Sequence, residues 1–415
     1  MFPWQEIVQI ILQNTVLVYR QQMFWLILAV VAVLYWRQQR DQLRMFGACS
    51  QVWWRQALMA TVFGTAGGVL ASFLLALTGV TLNQIGFGYI WPVAIALAII
   101  HMRFMCFAYA GGLVAASHAL FGWPEVNVPQ VLALVASLHV IESILIYVSG
   151  SYGAVPLILR REDGRMVGAF NLQNFWPLPL VLLVVGAVPE ASLPTEVIQT
   201  PDWWPLLPVV DQLPAGATWL YGMLPAVAAL GYADIAVTST PARRRRQSAL
   251  HLAVYSIVLL GLALLSARYE WLQFAAALVS PLGHELLIQL DNRREMRGEP
   301  RFVPPAEGVM VLDTLENSPA RDAGLRPGDI LLELGGMKVD NGFELAQAIS
   351  FIPGEFAVRF SREGRLLERR GRFSGGERRL GIILVPEGFE QNYAEISRQG
   401  YGLLDWLKRR LGRSK

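Results

Sequence analysis

The stretch "SPARDAGLRPGDILLELGG" (318–336) decides how the end of the chain folds. Ser318 can N-cap a short helix, with Pro319 at the first helical position, where a missing N–H costs little. Gly324 suits the left-handed residue that ends such a helix. "PGD" (327–329) turns into the strand "ILLEL" (330–334), and "GG" (335–336) makes the next hairpin turn. Upstream, "GVMVLDTL" (308–315) reads as a strand. Downstream, "NGFELAQAI" (341–349) is an amphipathic helix with Phe343, Leu345, Ala346 and Ile349 available to a core. "FAVRF" (356–360) and "LLERRGRF" (366–373) form a hairpin around "SREGR" (361–365).

The chain before this region follows other rules. Of 415 residues, 54% are hydrophobic and only 16% are charged, against about 25% charged in a typical soluble domain. Mean hydropathy is +0.39. Most of the deficit lies in residues 1–292, so a membrane portion precedes a water-soluble one. The net charge of +3 gives no argument for nucleic acid. Two cysteines, Cys49 and Cys106, cannot build a disulfide framework and show no metal-ligand spacing, so they read as small packing residues. The N-terminus has no basic segment and no small-residue cleavage site, which predicts that it is retained.

A hydrocarbon core of about 30 Å needs roughly 20 apolar residues per helix. Spans are expected near 23–36, 56–80, 85–101, 104–121, 129–148, 175–190, 217–237, 248–267 and 271–290. Segment 4–18, which carries Gln9, Gln13 and Asn14, is either a further span or an interfacial helix. The expectation is thus a membrane domain over 1–292 with about 8–10 transmembrane helices. Arg-rich loops stay in the cytoplasm. Arg37, Arg40, Arg44 and Arg55 share one loop, Arg160, Arg161 and Arg165 another, "ARRRRQ" (242–247) is a third, and "NRREMRGEPR" (292–301) follows the last span. All fall on one side of a nine-span arrangement, which makes the region after 292 cytoplasmic. Residues 293–305 read as a cytoplasmic linker, 306–388 as the soluble domain and 389–415 as a tail.

The soluble residues carry a resemblance. "SPARDAGLRPGDILLELGG", Val339, the helix, "PGE" and "REGR" resemble a bacterial PDZ domain of the HtrA-like and site-2 protease type. "RRLGIILVPE" (378–387) resembles the Gly-Leu-Gly-Phe-type loop of such domains, placed here at the end of the fold. The resemblance implies a small α+β, β-sandwich or barrel-like domain. It also implies that backbone amides around Leu380, Gly381 and Ile382 receive a peptide carboxylate. Ile382, Leu384, Leu345 and Ile349 would line the groove, and a peptide would add to the sheet edge as another strand. The alternative is that 380–384 merely closes the sheet, since an edge need not bind anything.

"SPLGHELLIQLDN" (280–292) begins like a zinc-protease helix with His284 and Glu285. Ile288 stands where the second histidine would be four residues on. His101, His118, His139 and His251 lie on separate segments without an i,i+4 pair, and no serine-nucleophile elbow appears. The membrane part therefore reads as non-catalytic, with no metal and no cofactor. In "SLHVIESILIYVSG" (137–150), His139 and Glu142 share a helix face at membrane depth, where ionisable groups are costly. They are read as a structural pair, a proton or ion relay, or a metal site, with Asp234 as a possible partner.

The segment 139–180, the "SPLGHE" ending and the PDZ region after it together resemble the MinJ-type multi-pass PDZ proteins of Gram-positive bacteria. That likeness implies a non-enzymatic scaffold in the bacterial cell membrane. Its partners would be DivIVA-like and MinD-like division proteins and the lipid bilayer, with division-site placement or cell polarity as the role. A membrane protease, or a protease-regulating subunit using the PDZ domain for substrate recognition, is the enzyme-class alternative, and a transporter-like bundle using His139 and Glu142 a third. "YGLLDWLKRRLGRSK" (401–415) reads as a basic amphipathic helix for an anionic leaflet or as a solvated end.

Overall fold

The computed structural model describes residues 2–150, 152–194, 197–209, 212–373, 378–390 and 392–395. Six helices come first: α1 (Trp4–Val18), α2 (Gln22–Phe46), α3 (Trp53–Thr78), α4 (Phe87–Ile100), α5 (Phe107–Phe121) and α6 (Val128–Ser149). Three strands follow, β1 (Ala154–Arg160), β2 (Met166–Pro189) and β3 (Ala217–Ala236), then α7 (Pro241–Ser266) and α8 (Leu272–Arg297). By length and composition α3, α6 and α7 are apolar enough to cross a membrane, and α1 with α2 would add a fourth span across their 71° bend. α4 and α5 are shorter apolar helices. Exposed apolar side chains such as Leu250, Val254, Ile257 and Val258 on α7 form the kind of surface that marks a membrane or protein contact.

The expected helices at 175–190 and 217–237 are corrected: both segments are strands, paired antiparallel from Phe170↔Ala236 to Pro189↔Ala217. Proline explains it. Pro177, Pro179 and Pro225 fall inside these segments, and an interior proline costs a helix about 3 kcal/mol. A strand tolerates proline where its nitrogen faces away from the ladder. Pro177 and Pro179 are two apart, so both turn the same edge of β2 outward, toward α3.

That outer edge is closed by α3 and the chain after it. A Cβ on Gly64 would collide with the Pro177 carbonyl, and one on Gly68 with the Pro179 carbonyl. One turn further, Ser72 Oγ accepts the Val181 amide at 2.8 Å. Then Leu82 N donates to Leu183 O at 2.7 Å. Asn83 accepts the Val185 amide at 3.2 Å and donates to its carbonyl at 2.8 Å. Four residues of helix rise by about 6 Å and two of strand by about 6.6 Å, so Gly64, Gly68 and Ser72 keep step with Pro177, Pro179 and Val181. Trp176, Leu178 and Leu180 on the same strand are buried in the main core.

Asp234 is likewise relocated. It lies on β3 and meets neither His139 nor Glu142; Arg244 Nε reaches its Oδ2 at 2.8 Å and Ser248 donates to it. Arg244, 2% exposed, also lies 3.6 Å from Asp291 and 3.9 Å from Glu295. Glu295 accepts the amides of Val237 and Thr238. A buried arginine survives only with such partners.

The second region is strand-rich: β4 (Val309–Thr314), α9 (Pro319–Asp322), β5 (Ile330–Leu334), β6 (Met337–Lys338), α10 (Gly342–Phe351), β7 (Glu355–Arg362), β8 (Arg365–Arg372), β9 (Ile382–Leu384) and β10 (Ala394–Glu395). The sheet runs β8-β7-β5-β4-β9, with β6 on β5. Ser318 Oγ caps α9 by accepting the Arg321 amide, and Gly324 has φ +81°. Asn341 Oδ1 caps α10 by accepting the Glu344 amide, and the Glu344 carboxylate accepts the Asp340 amide and the Asn341 side-chain amide. Glu363 and Gly364, both at positive φ, make the tight β7–β8 turn.

Residues 293–305 are no free linker. α8 runs on through Arg297, and Phe302, fully buried, bridges antiparallel to Gly168. Leu312 and Ile383 of the strand-rich region join the core of the helical one, Arg55 pairs with Glu316 at 3.2 Å, and β10 runs parallel to β1. The amphipathic helix expected over 401–415 falls outside the described residues.

Candidate functional site

The groove expected for a peptide falls between β9 and α10. β9 pairs antiparallel with β4 through Thr314↔Ile382 and Val311↔Leu384, and it ends the sheet, so no strand among the described residues takes its other edge. The turn leading in is fixed by its carbonyls: Leu380 O accepts the Ala320 amide at 3.0 Å and Gly381 O the Leu315 amide at 2.9 Å. Gly381 has φ +74°, and a Cβ there would collide with Ser318. Glycine is required on both counts. α10 is tied alongside, since the Gly342 amide donates to Glu387 at 2.7 Å.

The expected groove residues fall into two groups. Leu380 and Leu345 are buried in the domain core, where they hold loop and helix in place. Ile382 and Leu384 on β9 and Ile349 on α10 are half-buried at its margin, where a bound side chain can reach them. An unpaired edge beside an apolar margin can hydrogen-bond an extended backbone and sort its alternate side chains.

Behind the groove, Asp313 on β4 meets the helical region. Burial pushes its carboxyl up to about 6, against the lowering effects of the Thr314 amide, a hydrogen bond from Ser50 and the nearby Arg321 charge. A cleft lined by Ser50, Asp313, Arg321 and Arg326 lies between the two regions.

The polar residues of the helical region converge differently from their sequence positions. His139 and His284, read as separate, meet with ring centroids 5.1 Å apart. Cys106, read as a packing residue, joins them: its Sγ is 3.2 Å from His139 Nε2 and 4.0 Å from His284 Nε2. The three donor atoms all lie within 4.8 Å of one another, so this cluster is the place where the described residues could hold a metal. Three helix segments each supply one ligand, which no i,i+4 search detects; the signal available was one isolated polar residue on each. Glu285 takes no part. It accepts the Tyr109 hydroxyl at 2.7 Å and pairs with Arg103 at 3.0 Å. Glu142, half-buried, has no hydrogen bond or ion pair with a described residue.

Residues 310–360 match the PDZ domain family, so the chain carries a PDZ domain, with β9 and the Gly381 turn lying after the matched residues. The chain is 24% identical over 271 residues to the cell division topological determinant MinJ of Bacillus subtilis, covering 63% of this chain and 63% of that protein. It is 35% identical over 83 residues to the probable cell division topological determinant MinJ of Lacticaseibacillus paracasei (20% of this chain, 23% of that one). It is also 38% identical over 89 residues to the mitochondrial serine protease HTRA2 of Bos taurus, reaching 16% of that protein. The chain therefore spans under two thirds of the length of each of these relatives.

Proposed function

We propose that this protein is a membrane-held scaffold in the placement of cell division, whose PDZ domain captures partner peptides as an added strand. One observation carries the reading: β9 offers an unpaired edge beside the apolar margin of Ile382, Leu384 and Ile349. The likeness to MinJ supports a division role, and we extend it to DivIVA-like and MinD-like partners. α3, α6 and α7 supply membrane spans of a multi-pass chain. On this reading the PDZ domain lies at the cytoplasmic face, on the side of the Arg-rich loops, with Arg55 at the start of α3 paired to Glu316. We assign no reaction: Glu285 is held by Tyr109 and Arg103, and Ile288 occupies the position of a second helix ligand.

The test uses the full chain in detergent, titrated with extended peptides and with purified DivIVA-like and MinD-like proteins. Gly381→Glu is expected to weaken capture at least about tenfold, a loss of about 1.4 kcal/mol, with thermal unfolding recorded alongside. Leu384→Asp places a charge on the margin without touching the turn and should also weaken capture. Binding unchanged in both folded variants rejects the groove.

A further inference from the structure

We infer that Cys106, His139 and His284 form a zinc-binding site that clasps α5, α6 and α8 together. The ligands sit 33 and 178 residues from Cys106 in sequence, yet their donor atoms share one small volume. In a tetrahedral zinc site with Zn–S about 2.3 Å and Zn–N about 2.0–2.1 Å, an S···N pair is separated by about 3.5 Å. The observed 3.2 and 4.0 Å bracket that value.

The chemistry of each donor is set by what else it touches. His139 Nδ1 lies 2.7 Å from the Val135 carbonyl. A carbonyl only accepts, so Nδ1 carries the proton and Nε2 presents its lone pair to the cluster, the usual second-shell arrangement of a ligating histidine. Cys106 N-caps α5, and the Ala108 amide donates to its sulfur at 3.4 Å. Cysteine binds a divalent metal as the thiolate, losing its proton when the metal enters. His284 is held edge-on between the rings of Tyr109 and Tyr255, at 5.3 and 5.7 Å. Its buried Nδ1 has no partner among the described residues, and its Nε2 faces the Cys106 sulfur at 4.0 Å.

Two further features fit a cation. Glu142 lies one turn along α6 from His139 on the same face and has no ion-pair partner among the described residues. The helices already meet closely: Gly112 of α5 lies against Pro281 of α8, and Ser280 donates to the Ala108 carbonyl at 2.8 Å. The donor set of one thiolate and two imidazoles suits zinc and leaves a fourth position for water.

The test starts from the full chain in detergent, stripped with chelator, re-equilibrated with Zn2+ and desalted. The wild type should retain one zinc per chain, and Cys106→Ser, His139→Gln and His284→Gln should each lower affinity at least about tenfold. Cobalt in place of zinc should give a thiolate charge-transfer band that Cys106→Ser removes. A control needs no mutation: zinc should slow alkylation of Cys106 and leave Cys49, the chain's other cysteine, unchanged. Wild-type protein that retains no zinc, zinc retained equally by the triple variant, or alkylation of Cys106 indifferent to zinc would each overturn the proposal.

Discussion

Two strand edges in this molecule meet opposite fates. The outer edge of β2 is shut along its length: prolines remove donors at 177 and 179, α3 presents Gly64 and Gly68 to the carbonyls, and Ser72 takes the Val181 amide. The edge of β9 is left without a strand, with glycine at 381 shaping the turn beside it. The same residue type does contrary jobs. On α3, glycine lets a helix approach until the edge has nothing left to offer; at 381 it shapes the entrance to an edge that still has something to give. An unpaired edge at membrane depth costs several kcal/mol per group, whereas one in water costs little and can be used.

The comparison breaks most easily at α3. Gly68→Val drives a side chain into the Pro179 carbonyl and is expected to cost about 3 kcal/mol or more, read as a lower unfolding temperature in detergent or lost yield. Behaviour like wild type would mean that α3 does not seal the ribbon. Ser72→Ala removes a single acceptor, leaving the buried Val181 amide unsatisfied at about 1–3 kcal/mol; a change below a few tenths would show that water or a shifted backbone replaces it. Asp313 sharpens the other side through pH. Its folded carboxyl is raised to about 6 from about 3.9 unfolded, so ionisation opposes folding. Stability should be full below about pH 4, fall as pH rises toward about 6 and level off above. In Asp313→Asn that slope should vanish; an unchanged slope assigns the titration to another group.

The strand-rich region was legible because its signals are local. Ser318, Pro319 and Gly324 act within one turn, and each takes the expected cap or left-handed conformation. The helices at 53–78 and 128–149 declared themselves by length and apolarity. The β2–β3 ribbon did not, since apolar content does not separate helix from strand; the alternate prolines 177 and 179 were the informative residues. Asp234 was misplaced for the same reason, having been assigned to a helix. Cys106 with His139 and His284 stayed hidden because their proximity depends on how three segments pack, and no local spacing encodes that.

Phe302 has a mechanical meaning. A recognition domain on a loose leash sweeps a wide volume and dilutes its own pocket, whereas one riveted to its base keeps a fixed heading. With Phe302 wedged against Gly168, the open edge of β9 points one way at one height, and under the proposed function a guest would be chosen by whether its tail arrives at that angle as well as by what the tail spells.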